Sequence, residues 1–124
     1  MDFRSLIVYK KAFKLAMDIY NISKSFPKEE KYSLTDQIRR SSRSTCGNIA
    51  ESYRKRNYPK HFASKLTDSD GENSETIVWL EFALACKYIE DEIFKKLESE
   101  SEEIGRLLNY MILNPEKFGS SRAF

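Results

Sequence analysis

Residues 33–53 read SLTDQIRRSSRSTCGNIAESY. Leu34, Ile38, Ser42, Thr45, Ile49 and Tyr53 recur at steps of three and four, which places all six on one face of an α-helix. Ser33 can accept from a free backbone amide of the first turn, and Asp36 lies three residues on, where it can bond back; this spacing is a capping box. The middle of the buried stripe is made of small residues, so a neighbouring helix can come close.

Upstream, Leu6, Tyr9, Phe13, Ala16 and Tyr20 keep the same period, with Ala12 and Ile19 widening the stripe. Ser5 is the candidate cap, Lys10, Lys11 and Lys14 take the wet side, and the helix is expected to stop near Phe26-Pro27. Downstream, Pro59 suits the first turn of a third helix, because its missing amide hydrogen would have no intrahelical partner there. That helix is expected to reach Ile89, with one seam of Phe62, Leu66, Ser69, Asn73, Ile77, Leu80 and Leu84. Asp91 can cap a fourth helix carrying Phe94, Leu97, Ile104, Leu107, Leu108, Met111 and Ile112, which Asn114-Pro115 ends. Four helices joined by short loops imply an all-α, antiparallel up-down-up-down bundle over residues 1–114, with residues 115–124 a flexible tail.

The chain has 124 residues, 40% hydrophobic and 32% charged, which suits one soluble domain. Its 21 Lys and Arg against 19 Asp and Glu are too even for net charge alone to imply nucleic-acid binding. No stretch is apolar for long enough to span a bilayer. Met1-Asp2-Phe3-Arg4 lacks the basic-then-apolar order of a signal peptide, so the expected place is the cytoplasm, with no membrane partner.

The C-terminal half of the third helix is apolar almost all the way round. A second seam of Trp79, Phe82, Cys86 and Ile89 faces away from the first and needs its own partner, which points to a homo-oligomer. The competing reading is that the other three helices cover both faces.

Three blocks carry a resemblance that covers most of the chain. Pro27, Glu30 and Leu34-Thr35-Asp36-Gln37-Ile38-Arg39-Arg40-Ser41 form the first, and Asn48-Ile49-Ala50-Glu51 the second. Gly71-Glu72-Asn73-Ser74-Glu75 with Trp79-Leu80 and Lys87-Tyr88-Ile89 forms the third. In these blocks the chain resembles the four-helix-bundle proteins encoded by intervening sequences within bacterial 23S rRNA genes. It departs at Ser52, where many members have glycine, and at Ser44-Thr45-Cys46, where an apolar and proline-containing form is more usual. The resemblance implies a four-helix bundle, often a homopentamer, with no established catalytic activity. The chain is also similar to the accessory variability determinant of diversity-generating retroelements, a basic pentamer that binds nucleic acid and a reverse transcriptase.

Arg39, Arg40 and Arg43 project from the flank of the second helix, Arg54 falls on the same side, and Lys55, Arg56, Lys60 and His61 continue the positive region. Such a stripe could neutralise phosphates of RNA or DNA, with Tyr53 and Tyr58 as stacking surfaces. The alternative is that Asp68, Asp70, Glu72 and Glu75 of the third helix pair with these cations inside the bundle, leaving a structural or protein-interaction oligomer. Asn48 and Glu51, together with Glu72 and Glu75, are read as structural polar groups bonding neighbouring helices or subunits.

No catalytic residue, metal or cofactor is expected. A ferritin-like dimetal site needs Glu-x-x-His on two helices, and the single histidine, His61, follows Tyr58 at that spacing. Cys46 and Cys86 sit inside helical patterns and read as buried free thiols without a base beside them.

Overall fold

The computed structural model describes residues 2–123; Met1 and Phe124 lie outside it. Among these residues the chain forms four long helices, α1 (Ile7–Ser23), α2 (Leu34–Arg54), α3 (Pro59–Ala85) and α4 (Asp91–Leu113), with short 3-10 turns at Phe3–Ser5, Lys28–Glu30 and Pro115–Phe118. There is no strand among them. Cross-helix pairs fix the direction of each neighbour. Along α2 and α3, Arg40 meets Glu75, Ser41 meets Thr76, Thr45 meets Ser69 and Glu51 meets Lys65, so one numbering climbs as the other falls. Lys11 with Glu103 and Lys14 with Glu100 do the same for α1 and α4. The bundle closes as α1 on α2, α2 on α3, α3 on α4 and α4 on α1, leaving α1 diagonal to α3 and α2 diagonal to α4.

The α2 stripe is buried at all six expected positions, and Ser41, Cys46 and Ser52 join it. Hydroxyls in this seam are satisfied in two ways. Some donate back along their own helix, as Ser42 does to the Ile38 carbonyl (2.8 Å), Thr45 to Ser41 (3.0 Å) and Ser52 to Ile49 (2.7 Å). Others cross to the neighbour: Ser69 donates to the Thr45 carbonyl at 2.8 Å, and the Ser41 and Thr76 hydroxyls share a hydrogen bond of 2.8 Å. Because buried polar groups cost free energy unless bonded, this pairing is what lets so polar a stripe lie inside. Asn73 ties α3 to α4 likewise, donating to the Ser101 carbonyl (2.8 Å) and accepting from its hydroxyl (2.9 Å). Around these layers Ile19, Ile38, Ile49, Phe62, Leu66, Leu80, Ile104 and Leu108 are sealed from solvent.

Several details depart from the sequence expectation. On α1 the expected Leu6, Ala12, Ala16 and Ile19 are buried, but Val8 and Leu15 join them in place of the aromatics: Phe13 is 52% exposed, and Tyr9 and Tyr20 are half-buried. The face wedged between α2 and α4 takes the compact aliphatic residues, and the aromatics lie along its edge. Ser33 does not cap α2 with its side chain. Its hydroxyl donates to Glu30 (2.6 Å), and Glu30 itself accepts the Leu34 amide (3.3 Å), so the cap comes from the preceding turn. Ser5 belongs to the first 3-10 turn, which Asp2 caps through the Arg4 amide. Asp91 is the first residue of α4, with Glu90 in the cap position.

The third helix ends four residues before Ile89. Lys87 is left-handed (φ 64°), the Tyr88 amide donates to the Ala83 carbonyl and the Lys87 amide to that of Leu84. This is a Schellman ending, which usually uses glycine at the left-handed position. It sends Ile89 into the core, 8% exposed, so Ile89 is not part of an outer seam. After α4, Pro115 is buried and Phe118 packs edge-on against Tyr110. Gly119 turns left-handed (φ 81°), and the Ser120 hydroxyl donates to the Arg56 carbonyl at 2.8 Å, which holds this part of the expected tail against the end of α2.

A lysine in the left-handed region is strained by its Cβ, whereas glycine is not. Lys87→Gly should therefore raise stability by about 1 kcal/mol, net of glycine's greater unfolded-state entropy. The check is the urea midpoint, which should rise at unchanged slope; a fall would mean that the Lys87 side chain stabilises the turn.

Candidate nucleic-acid interface

The register of α2 sorts its cations. With Ser41, Thr45 and Ser52 turned to α3, Arg40 falls on the α3 side, and Arg39, Arg43 and Arg54 fall toward α1. Arg40 follows the internal-pairing alternative: it bonds Glu75 at 2.7 Å and Glu72 at 3.3 Å. Glu75 also accepts from the Trp79 indole at 3.2 Å. Asp68 and Asp70 form no ion pair among the described residues.

The other arginines rest on aromatic rings. The guanidiniums of Arg39 and Arg43 lie 4.8 and 5.5 Å from the centre of the Tyr20 ring, and Arg39 also donates to the Ser23 hydroxyl at 2.8 Å. Arg54 lies 5.9 Å from the Phe3 ring, with Arg4 at 4.7 Å from the same ring. Arg56 lies 3.7 Å from the Tyr53 ring and donates to the Tyr53 carbonyl at 2.7 Å. None of Arg39, Arg43, Arg54 and Arg56 pairs with a carboxylate among the described residues. A guanidinium over a ring is held by its face, which leaves N–H edges directed outward. The edge between α1 and α2 is thus a column of oriented, uncompensated positive charge.

Lys55 and Lys60 also lack a carboxylate partner among the described residues. Lys55 is half-buried at the end of α2, where its amide closes the helix, and Lys60 is exposed. Arg56 is more committed than the sequence suggests. Its side chain packs 3.3 Å from where a Cβ on Gly119 would stand, so it shapes the C-terminal turn as well as carrying charge. Tyr53 is buried, 5% exposed, beneath Arg56, and is no stacking surface; Tyr58 is exposed and meets His61 edge-on.

Two aromatic contributions were not visible in the sequence. Tyr20 and Phe3 act as rests for arginines far along the chain. Tyr32, in the loop before α2, is 85% exposed and borders a concavity of about 550 Å3 lined by Lys31, Arg39, Arg40 and Arg43. Its only advance sign is a large aromatic at a position without helical period.

Of the proposed assembly residues, Phe82 is 53% exposed, Trp79 is half-buried against it with ring centres 5.9 Å apart, and Cys86 is exposed rather than a buried thiol. Val78, one turn before Phe82, is exposed too. Cys46 is buried, and that burial pushes its thiol pKa up to about 11. Of the polar block, Asn48 bonds only within α2, donating to the Ser44 carbonyl at 3.0 Å, whereas Glu51 reaches α3 through Lys65 at 3.1 Å. Among the described residues no three His, Cys, Asp or Glu side chains gather where they could hold a metal ion, and no helix is long and apolar enough to cross a membrane.

Residues 4–110 match the family described as 23S rRNA-intervening sequence protein. The chain belongs to this family. A solved relative is a protein of unknown function from the S23 ribosomal protein family of Bacteroides thetaiotaomicron VPI-5482. It is 31% identical, superposes with a TM-score of 0.77, and the match covers 85% of this chain and 94% of the relative. No curated protein matches. In this member of the 23S rRNA-intervening sequence proteins, the arginine column lies within the matched residues.

The loop beside that column has a pH signature. Glu30 accepts hydrogen bonds from Ser33 and from the Tyr88 hydroxyl (2.9 Å), which hold its pKa below the ordinary 4.5. The same bond pushes the Tyr88 phenol up from 10.0 to about 12. Glu30's contribution is therefore present above pH 4.5 and lost as pH falls through its depressed pKa, while that of Tyr88 is present below pH 10 and lost as pH rises toward 12. In a pH series of urea midpoints, Tyr88→Phe should remove the part of the alkaline decline that comes from this bond. An alkaline limb identical to that of the unaltered protein would contradict the assignment.

Proposed function

We propose that this protein is a non-catalytic homo-oligomer of the cytoplasm that holds RNA or DNA along the α1–α2 edge of each subunit. The observation that carries the reading is the set of arginines, Arg39, Arg43 and Arg54, resting on the Tyr20 and Phe3 rings with no carboxylate among the described residues to neutralise them. Polyanion binding draws its free energy from exchanging condensed counterions for fixed cations, and an arginine already held in place loses less entropy in making that exchange.

Assembly is supported by two exposed apolar stripes on diagonal helices, Phe13 and Met17 on α1 and Val78 and Phe82 on α3. A two-fold dimer uses one self-complementary patch, whereas two different patches joined head to tail generate rings or filaments. The family resemblance favours a ring of five. Repetition round a ring would multiply a modest charge per subunit into a strong field. The alternative, an interaction oligomer with its basic residues paired internally, is favoured within the arginines of α2 at Arg40, and elsewhere at Lys11, Lys14 and Lys65.

Arg39→Glu, Arg43→Glu and Arg54→Glu together should weaken RNA binding by about tenfold or more at low salt. The slope of log affinity against log salt should flatten by about 2 units, at roughly 0.7 to 0.9 per lost phosphate contact. Arg40→Gln should leave both nearly unchanged. Fluorescence anisotropy with a structured RNA reads both quantities, and an unaltered slope in the triple variant would overturn the proposal.

A further inference from the structure

The arginine column is flanked by exposed tyrosines. Tyr32 precedes the first turn of α2 and is 85% exposed; Tyr58 follows its last turn and is 64% exposed. The 21 residues of α2 separate them by about 32 Å, at 1.5 Å per residue. Neither ring belongs to the hydrophobic core or the partly buried shell packed against it. Exposed tyrosines are common singly, but Tyr32 stands between a cationic concavity and the recess of Trp79 and Phe82, and Tyr58 has cations on either side of it in the chain. Tyr32 borders the concavity lined by Lys31, Arg39, Arg40 and Arg43, with the Lys31 ammonium 5.3 Å from its ring centre. Tyr58, 64% exposed, lies between Lys55 and Lys60 in the chain and packs against His61 with the ring planes steeply inclined and the ring centres 6.0 Å apart.

We infer that the nucleic acid held on this edge is single-stranded, its backbone tracking the arginine column and unstacked bases lying on Tyr32 and Tyr58. This rests on the function proposed above and narrows it. A duplex keeps its bases stacked on one another and could offer these rings only its backbone or groove edges, whereas a single strand can splay a base onto an aromatic face. Besides Arg40, which Glu72 and Glu75 neutralise, the concavity beside Tyr32 carries three cations, Lys31, Arg39 and Arg43, and one carboxylate, Asp36, so it suits a phosphate and sugar next to the stacked base. The pairing of a positive groove with aromatic platforms is tolerant of sequence, because every base presents a π-face.

Tyrosine and arginine variants leave different signatures. Removing a stacking platform lowers affinity without changing the number of ions displaced, so the salt slope stays as it was. The experiment measures anisotropy of a fluorescent oligoadenylate, and of a duplex of equal length, across a salt series. It compares the unaltered protein with Tyr32→Ala, Tyr58→Ala and Tyr32→Trp. Both tyrosines are exposed, and circular dichroism of each variant confirms the fold.

Each alanine variant is expected to bind the single strand about tenfold more weakly at unchanged slope, and the duplex within about twofold of the unaltered protein. Tyr32→Trp should restore or exceed the original affinity. Single-strand binding unchanged in both alanine variants, alongside weakening by the arginine charge reversals, would overturn the stacking inference and leave the arginine reading intact. An equal loss for strand and duplex would overturn it too, since stacking favours the strand. If the unaltered protein binds neither probe, the function proposed above falls and this inference with it.

Discussion

The close contact of α2 with α3 is the constraint on which the rest of the molecule depends. Ser41, Ser42, Thr45 and Ser52 on one helix, and Ser69 and Thr76 on the other, are buried. Their small size permits the approach, and their hydroxyls must find partners once water is excluded. The Ser69–Thr45 and Ser41–Thr76 bonds meet that requirement only in one register and one rotation of α2. A bulkier apolar seam would tolerate sliding; this one does not, because a slip of one residue leaves polar groups buried and unpaired.

Rotation about that seam decides what each arginine can do. Arg40 is carried to Glu72 and Glu75 and becomes part of the bundle's internal electrostatics. Arg39 and Arg43 are carried to the opposite flank, over Tyr20, and Arg54 to Phe3. Neighbours in sequence thus have different chemistry because a helix turns about 100° per residue. Tyr20 near the end of α1 and Phe3 in the turn before it are the rings on which those guanidiniums lie.

Much of this was legible in the sequence. The four helices, their order, the start of α3 at Pro59 and the whole buried stripe of α2 follow from spacing, because one-face burial leaves a period in the residues. Caps were less legible. The α2 cap comes from Glu30, whose role depends on how the preceding 3-10 turn folds back, and the Schellman ending of α3 is hidden because lysine stands where glycine would announce it. On α1 the period placed Leu6, Ala12, Ala16 and Ile19 inside, as they are, but its centre lies toward Val8 and Leu15 rather than Phe13, a shift of a fraction of a turn that spacing alone does not fix. The site was half visible. The arginines stand out in the sequence, yet which of them keep their charge free is set by partners 16 to 51 residues away, as in Arg39–Ser23 and Arg54–Phe3.

The central claim joins two physical properties in one object, an assembly held by apolar stripes and a positive edge that acts on polyanions. They respond differently to salt, since apolar burial is insensitive to screening whereas phosphate contacts are not. Mass in solution by sedimentation, with and without structured RNA at low and high salt, separates them directly. The account predicts an oligomer of the same mass at both salts, and an RNA complex that forms at low salt and dissociates at high salt. A monomer at micromolar concentration, or an oligomer that takes up no RNA at low salt, would contradict it.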